Sequence, residues 1–267
     1  MKIKEVVTTL ERFAPLPLQD SYDNAGLQVG LTEAEASGVL LCLDVTEDVI
    51  EEAHNLGLNL IVSHHPLLFK SIKQVCDRTY VERCVRLAIR YDITLYAAHT
   101  NLDNAPYGVN HAMARKLKLT DTMFLDPHAD GGGSGMIGTL PAPVSATEFI
   151  QVVIREFGLS CLQHNALLTR PVSRVAVCGG AGDFLLDMAL EQGADAFLTG
   201  EMHYHRYFGH DDEIQIGVMG HYESEIHTVT LLQQLLQEQC PGLRVETTRI
   251  NTNPIHYTCN TSTYHKS

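Results

Sequence analysis

The sequence predicts an α/β protein built as two α/β lobes, each a mixed, largely parallel sheet flanked by helices. Short apolar runs of strand length alternate with amphipathic stretches at helical spacing. Strands alternating with helices favour layered sheets with parallel neighbours. A Gly-rich stretch, residues 127–135, separates two such series and reads as the connector between lobes. A chain of 267 residues fits one large domain or two small ones, and 45% hydrophobic with 19% charged residues supports a packed core over disorder.

Ile3, Val6, Val7, Leu10 and Phe13 recur at helical spacing, and Pro15 and Pro17 stop that helix. Residues 21–30 read as a loop. Residues 39–44 form a buried strand, and 47–56 a helix ended by Gly57. A second buried strand, 58–62, runs into Ser63-His64-His65-Pro66. Residues 80–91 are helical, 93–98 form a third strand ending at His99-Thr100-Asn101-Leu102-Asp103, and 108–117 are helical again. Beyond the connector, 136–140 form a strand, and Ser145 with Glu148 opens a helix to Phe157 as a capping box. Residues 174–178 lead into Gly179-Gly180-Ala181-Gly182 and a helix over 183–192, with Asp183 as its N-cap. Strands at 196–199 and 214–218 run into Gly200-Glu201 and Gly220-His221. A long helix over 223–239, a last strand over 243–250 and a loose polar end at 260–267 complete the chain.

Charge narrows the function. The net charge is −13, with 12 basic and 15 acidic groups in residues 1–120 against 7 and 17 in residues 121–267. An acidic second half repels phosphate backbones and no Lys/Arg run supplies a local patch, so general nucleic-acid binding is not expected. No run approaches the roughly 18 apolar residues of a membrane span, and the N-terminus opens into an amphipathic pattern unlike a secretory leader. Seven cysteines form no CxxC pair, and Cys42, Cys84 and Cys178 sit in apolar runs as reduced, core-filling thiols. A cytoplasmic protein without membrane contact is expected.

Three clusters carry chemistry. His64-His65, His99 with Asp103, and His221 with Glu225 each follow an apolar strand, where ligands gather in open α/β sheets. His221 and Glu225 are four apart at a helix start and so share a face. A lone histidine at a strand end is usually a hydrogen-bonded structural residue, and a His/Glu pair four apart is a common surface pair. The three clusters together favour a metal site. Imidazole with carboxylate suits Zn, Fe, Mn or Ni; the set serves one ion with an open position, or two ions if a carboxylate bridges them. Glu201, His203 and His205 read equally as support for such a site or as a polar loop. Gly179 to Gly182 read as a tight turn in preference to an anion cradle.

Taken in order, these stretches resemble one family. They are Tyr22-Asp23-Asn24-Ala25-Gly26-Leu27-Gln28-Val29-Gly30, Ser63-His64-His65-Pro66-Leu67, His99-Thr100-Asn101-Leu102-Asp103, Gly179-Gly180-Ala181-Gly182, Thr199-Gly200-Glu201, Gly220-His221-Tyr222-Glu223-Ser224-Glu225 and Asn253-Pro254. The family is that of the dinuclear-metal, toroidal hexamers labelled GTP cyclohydrolase I type 2 homologues, also NGG-interacting factor three-like proteins. The resemblance implies five ligands, His64, His65, Asp103, His221 and Glu225, holding two divalent metal ions per subunit between the lobes, with Glu225 bridging. Our own allocation, not part of the resemblance, sets His64 with His221 on one ion and His65 with Asp103 on the other. The resemblance also implies a homohexameric ring with its metal sites facing an inner cavity. The first lobe would comprise residues 1–120 plus about 220–267 and the second about 121–219, with no inserted domain, since only residues 120–134 could house one. Tyr22 stands where the family usually has tryptophan, which reads as a packing change.

The function this suggests is a metal-dependent hydrolase acting on a small molecule, with His99 or Glu201 carrying a proton. The alternative is a non-catalytic metal-binding or metal-delivery protein, or a scaffold whose ions hold the lobes together.

Overall fold

The computed structural model describes residues 1–258, so the polar end at 260–267 lies outside the described residues. The chain runs through α1 (Ile3–Phe13), β1 (Gly26–Val29), β2 (Val39–Cys42), α2 (Glu47–Asn55), β3 (Leu60–Ser63), α3 (Tyr80–Arg90), β4 (Thr94–Ala97), α4 (Thr100–Asp103) and α5 (Val109–Lys116). It continues through β5 (Thr120–Pro127), β6 (Gly133–Val144), α6 (Ala146–Phe157), β7 (Gln163–His164), β8 (Val172–Cys178), α7 (Leu186–Glu191), β9 (Ala196–Thr199), β10 (Gln215–Val218), α8 (His221–Glu225), α9 (His227–Gln239) and β11 (Val245–Thr247).

Apolar side chains on both faces of β2, β3 and β4 demand cover on both sides, and every residue of these strands is buried. They lie in a first sheet of order β1-β4-β3-β2-β11, parallel except for β1 at its edge. Successive side chains point to opposite faces. Val39 and Leu41 therefore pack with Val6, Leu10 and Leu232 of α1 and α9, while Leu40 and Cys42 pack with Val49, Ile50 and Cys84 of α2 and α3. The second sheet has the order β5-β6-β8-β9-β10-β7; β8, β9 and β10 are parallel, and the others join antiparallel. Its two faces are covered by α5 with α6 and by α7. This is the two-sheet α/β architecture the sequence predicts. Among the described residues no helix is long and apolar enough to cross a membrane.

Several elements differ from the sequence reading. Residues 26–29 are not loop: they pair with β4 as an edge strand, whose half-exposed Gly-Leu-Gln-Val offers little hydrophobic alternation. The Gly-rich stretch 127–135 is the turn of the β5–β6 hairpin and its flanks, and β6 extends well past the strand expected at 136–140. Ser145 caps α6 as expected, accepting the Glu148 N–H. Asp183 is no N-cap. Its carboxylate accepts from the His203 backbone and imidazole, a 3-10 turn occupies Asp183–Leu185, and the α-helix begins only at Leu186. The helix expected from 223 begins at His221 and changes segment at Ile226, which places His221 and Glu225 in one short helix. The last strand is confined to Val245–Thr247. Cys42, Cys84 and Cys178 are buried free thiols.

Asp195 knits the second sheet together where its parallel strands begin. Its Oδ2 accepts the N–H groups of Ser173 at 2.9 Å and Arg174 at 2.8 Å, and its Oδ1 pairs with Arg170. Half-burial alone would raise the carboxyl, but these donors hold it below the ordinary value of 3.8. The ionised form is therefore preferred by the fold. This contribution is complete above the unfolded value and is lost as pH falls through the folded one. An Asp195→Asn variant should show a shallower loss of stability than the wild type below about pH 4, measured by urea denaturation at a series of pH values.

Candidate metal centre

The parallel strands of both sheets deliver their carboxyl ends to one cleft. Asp44 lies beyond β2, His64 and His65 leave β3, and His99 to Asp103 leave β4. From the second sheet, Gly179 and Gly180 follow β8, Gly200 and Glu201 follow β9, and α8 follows β10. His64 and His65 extend the β2–β3 ladder, with N–H bonds to Cys42 O at 3.2 Å and Leu43 O at 3.0 Å. The chain bends at both residues, and the two rings stand with centroids 5.0 Å apart and planes tilted by 45°.

Glu225 is the centre of the cluster and is buried. Its Oε2 lies 3.0 Å from His65 Nε2 and 3.2 Å from His221 Nε2, while its Oε1 faces His64 Nε2 at 3.7 Å. His64 Nε2 also faces Asp103 Oδ1 at 3.6 Å. The donor atoms form three groups, each within 4.8 Å: His64, Asp103 and Glu225; His65, His221 and Glu225; and His64, His65 and His99. In this grouping His64 stands with Asp103 and His65 with His221, whereas the sequence reading sets His64 with His221 and His65 with Asp103. His221 rises from α8 on the Oε2 side of Glu225, where His65 already points, while buried His64 turns toward Asp103.

All four imidazoles commit Nδ1 elsewhere. His64 Nδ1 meets Ala98 O, His65 Nδ1 meets Asp44 Oδ1 and His99 Nδ1 meets Asp23 Oδ1, each at 2.7 Å; His221 Nδ1 meets Glu201 Oε1 at 2.8 Å. Such partners fix the ring orientation and leave Nε2 as the nitrogen that faces the cluster, as for histidines that bind metal.

The electrostatics of the cluster are opposed. Burial raises the Asp103 carboxyl well above its ordinary value, reinforced by the nearby Glu225 charge. Burial likewise lowers His64 below 6.5 despite Glu225. Burial would protonate Glu225 too, but the imidazoles of His221, His64 and His65 around it hold it well below the carboxylate range. His65 is lowered by burial but lifted to about 10 by Asp44 and Glu225, and the bond to Glu225 lifts His221 to about 9. Among the described residues His64 Nε2 and Asp103 Oδ1 are buried without a hydrogen-bond partner. A buried donor or acceptor left unmatched costs about 1–3 kcal/mol. A divalent cation satisfies both at once, taking the lone pair of neutral His64 and the charge of ionised Asp103. The donor set therefore fits a metal ion.

A cavity of about 400 Å³ opens on the cluster. Tyr22, Phe69 and Phe184 form its wall toward solvent, and His99, Asn110 and Ser134 line it further in. Tyr22 is 66% exposed and meets Phe69 edge-on at 6.3 Å, so it belongs to the cavity mouth and does not fill a packing position as its swap for tryptophan suggested.

The sequence profile of the family described as Duf34/NIF3 (NGG1p interacting factor 3) matches residues 1–254. The chain belongs to the Duf34/NIF3 family. A Lactococcus lactis protein named GTP cyclohydrolase 1 type 2 homolog is 34% identical over 265 residues, covering 96% of this chain and 99% of its own. A Clostridium perfringens protein of the same name is 30% identical over 243 residues, covering 90% and 92%. The crystal structure of a Staphylococcus aureus hypothetical protein superposes with a TM-score of 0.88 at 26% identity, covering 97% of this chain and 99% of its own.

In this Duf34/NIF3 chain the five side chains named as ligands meet at one place, and His99 stands with them. Glu201 stands behind His221. His203 is bound to Asp183 and exposed, and His205 packs with Tyr204 and Phe208; neither joins the cluster. Asp44 and Asp23 escaped the sequence reading as site residues. Asp44 carried a usable signal, a carboxylate directly after a buried strand, the same placement that drew attention to the histidines. The glycine loop has a steric reason. Gly180 has φ +60°, and a Cβ there would stand 2.5 Å from Glu225 Oε1. A Gly180→Ala substitution should cost about 1–2 kcal/mol in backbone strain and displace Glu225; denaturation curves and the metal content of the purified variant check both effects.

Proposed function

We propose that this Duf34/NIF3 protein holds two divalent ions on His64, His65, Asp103, His221 and Glu225, and acts as a metal-dependent hydrolase on a small molecule. The observation that carries the reading is Glu225 itself, a buried carboxylate whose two oxygens face two different donor groups. That is the arrangement of a bridging ligand. Bound there, divalent cations supply Lewis acidity and lower the pKa of water.

The chain's own residues account for the rest. Asp44, Glu201 and Ala98 O keep three imidazoles turned with Nε2 inward. His99 gives Nδ1 to Asp23, and Thr100 N donates to Asp23 Oδ2 at 3.1 Å, so Nε2 is the nitrogen left to hold or release a proton in the cavity. Glu201 serves as an orienting carboxylate in this reading, and His99 as the proton carrier. The aromatic mouth admits a small molecule and limits bulk water. The relatives' name suggests a cyclohydrolase-type reaction at a C–N bond of a purine nucleotide; the substrate itself is open to screening. We further propose a homohexameric ring in the cytoplasm, with the cavities facing inward.

Purified wild-type protein should carry about two ions per chain, with sharp losses in His64→Ala and Glu225→Ala, measured by elemental analysis. Metal content at background level in the wild type would overturn the reading. Where a hydrolysable substrate is found, His99→Ala should lower kcat by about 100-fold or more while metal content and oligomeric state persist. A protein that keeps its metal but hydrolyses nothing, and yields the ions readily to weak chelators, is a delivery protein.

A further inference from the structure

The chain end beyond β11 is not used by the proposed reaction, yet it touches supports of the donor cluster from both sheets. After β11 the ladder continues, with Thr248 N donating to Leu41 O at 2.9 Å. Glu52 of α2 then accepts from the Thr248 hydroxyl and from Arg249 N, and Ile250 packs against the apolar core beneath. These contacts fix the start of a strap.

The next two polar residues diverge. Thr252 Oγ1 donates to Asp44 Oδ2 at 2.9 Å, while the other oxygen of that carboxylate holds His65 Nδ1 at 2.7 Å. Asn253 Nδ2 donates to Glu223 Oε1 at 2.9 Å, and Glu223 belongs to α8, the helix of His221 and Glu225. A local turn keeps Asn253 in place, since Ile255 N donates to its Oδ1 at 3.0 Å. Ile255 and Tyr257 then line a second hollow behind His221, beside Glu201 and Gly220.

We propose that this strap positions the donor cluster, with Thr252 setting His65 through Asp44 and Asn253 setting the helix of His221 and Glu225 through Glu223. The inference rests on the metal-binding reading above. A carboxylate bonded only to an imidazole can pivot about its terminal torsion, which is broad and soft. A hydroxyl donor on the other oxygen removes that freedom and fixes the plane of the His65 ring. Partners of this kind typically govern metal affinity by about 10–100-fold. Thr252 and Asn253 are thus positioning residues, one for the ligand carried by the first sheet and one for the helix that follows the second.

The test uses the full chain, stripped of metal and titrated with Co²⁺ against a competing chelator, with the visible absorption band recorded. Thr252→Val keeps the shape and removes the donor; it should weaken Co²⁺ binding about 10-fold or more and alter the band. Thr252→Ser restores the donor and should bind within about threefold of the wild type. Asn253→Ala should weaken binding independently, and thermal melts of the metal-free proteins should stay close to the wild type. Wild-type binding by Thr252→Val and Asn253→Ala, alongside loss in His64→Ala, overturns the strap while leaving the metal reading intact. Equal loss in Thr252→Val and Thr252→Ser also overturns it, since packing and not the hydroxyl would then be responsible. If the wild type takes up no Co²⁺, both readings fall. Should Thr252→Val fail to fold, Asn253→Ala and Thr252→Ser decide by the same measurements.

Discussion

Four imidazoles of one cluster, three of them around the buried Glu225 carboxylate, each give Nδ1 to a fixed acceptor, and much of the architecture serves that constraint. An imidazole with one nitrogen anchored has little choice of tautomer or tilt, so its second nitrogen is aimed. The acceptors come from rigid places. Ala98 O and Asp44 lie just beyond β4 and β2, Glu201 just beyond β9, and Asp23 is itself held by Thr100 at the start of α4. Parallel strands from two sheets thus place acceptors and imidazoles together, which no single loop could do with comparable precision.

The cluster is expensive to bury. Ionised carboxylates and imidazolium groups lose hydration, and only close opposite charge compensates. In the absence of cations, protons fill that role, raising His65 and His221 and leaving Asp103 inclined to the acid form. Under the proposed metal-binding reading, uptake of a cation would expel protons, and affinity would fall with acidity. The same crowding accounts for the glycines. Gly180 and Gly200 pass so close to Glu225 and Ser224 that a methyl group would collide with either.

The α/β alternation and the buried strands were legible because a short run of consecutive apolar residues, such as Val39 to Cys42, puts hydrophobic side chains on both faces and so must be covered on both. The histidine clusters were legible through their placement after strands. Proximity was not legible: His65 and Glu225 are 160 positions apart, and no local rule brings them together. That juxtaposition came from the ordered resemblance to a family, and the coordinates supply its physical basis. Edge strand β1 and the β5–β6 hairpin were missed because half-exposed residues and glycines carry little periodicity. The role of Asp183 was misread because its carboxylate bonds a distant histidine, a tertiary contact that overrides local capping. Tyr22 looked like filler because an aromatic residue in a short motif resembles core until its exposure is known.

The first sheet is closed on one side by β11, and one of its faces is covered by α9, both of which are synthesised after the whole second sheet. During translation α1 can cover part of the face that bears Val39 and Leu41 early, but the part covered by Leu232 and Leu236 of α9 stays open until the carboxyl-terminal residues emerge. The later sheet has its own sequence complete by then and can form first. A premature stop codon before α9 therefore removes both the edge strand β11 and part of the cover of the first sheet, exposing apolar surface of the kind that promotes aggregation.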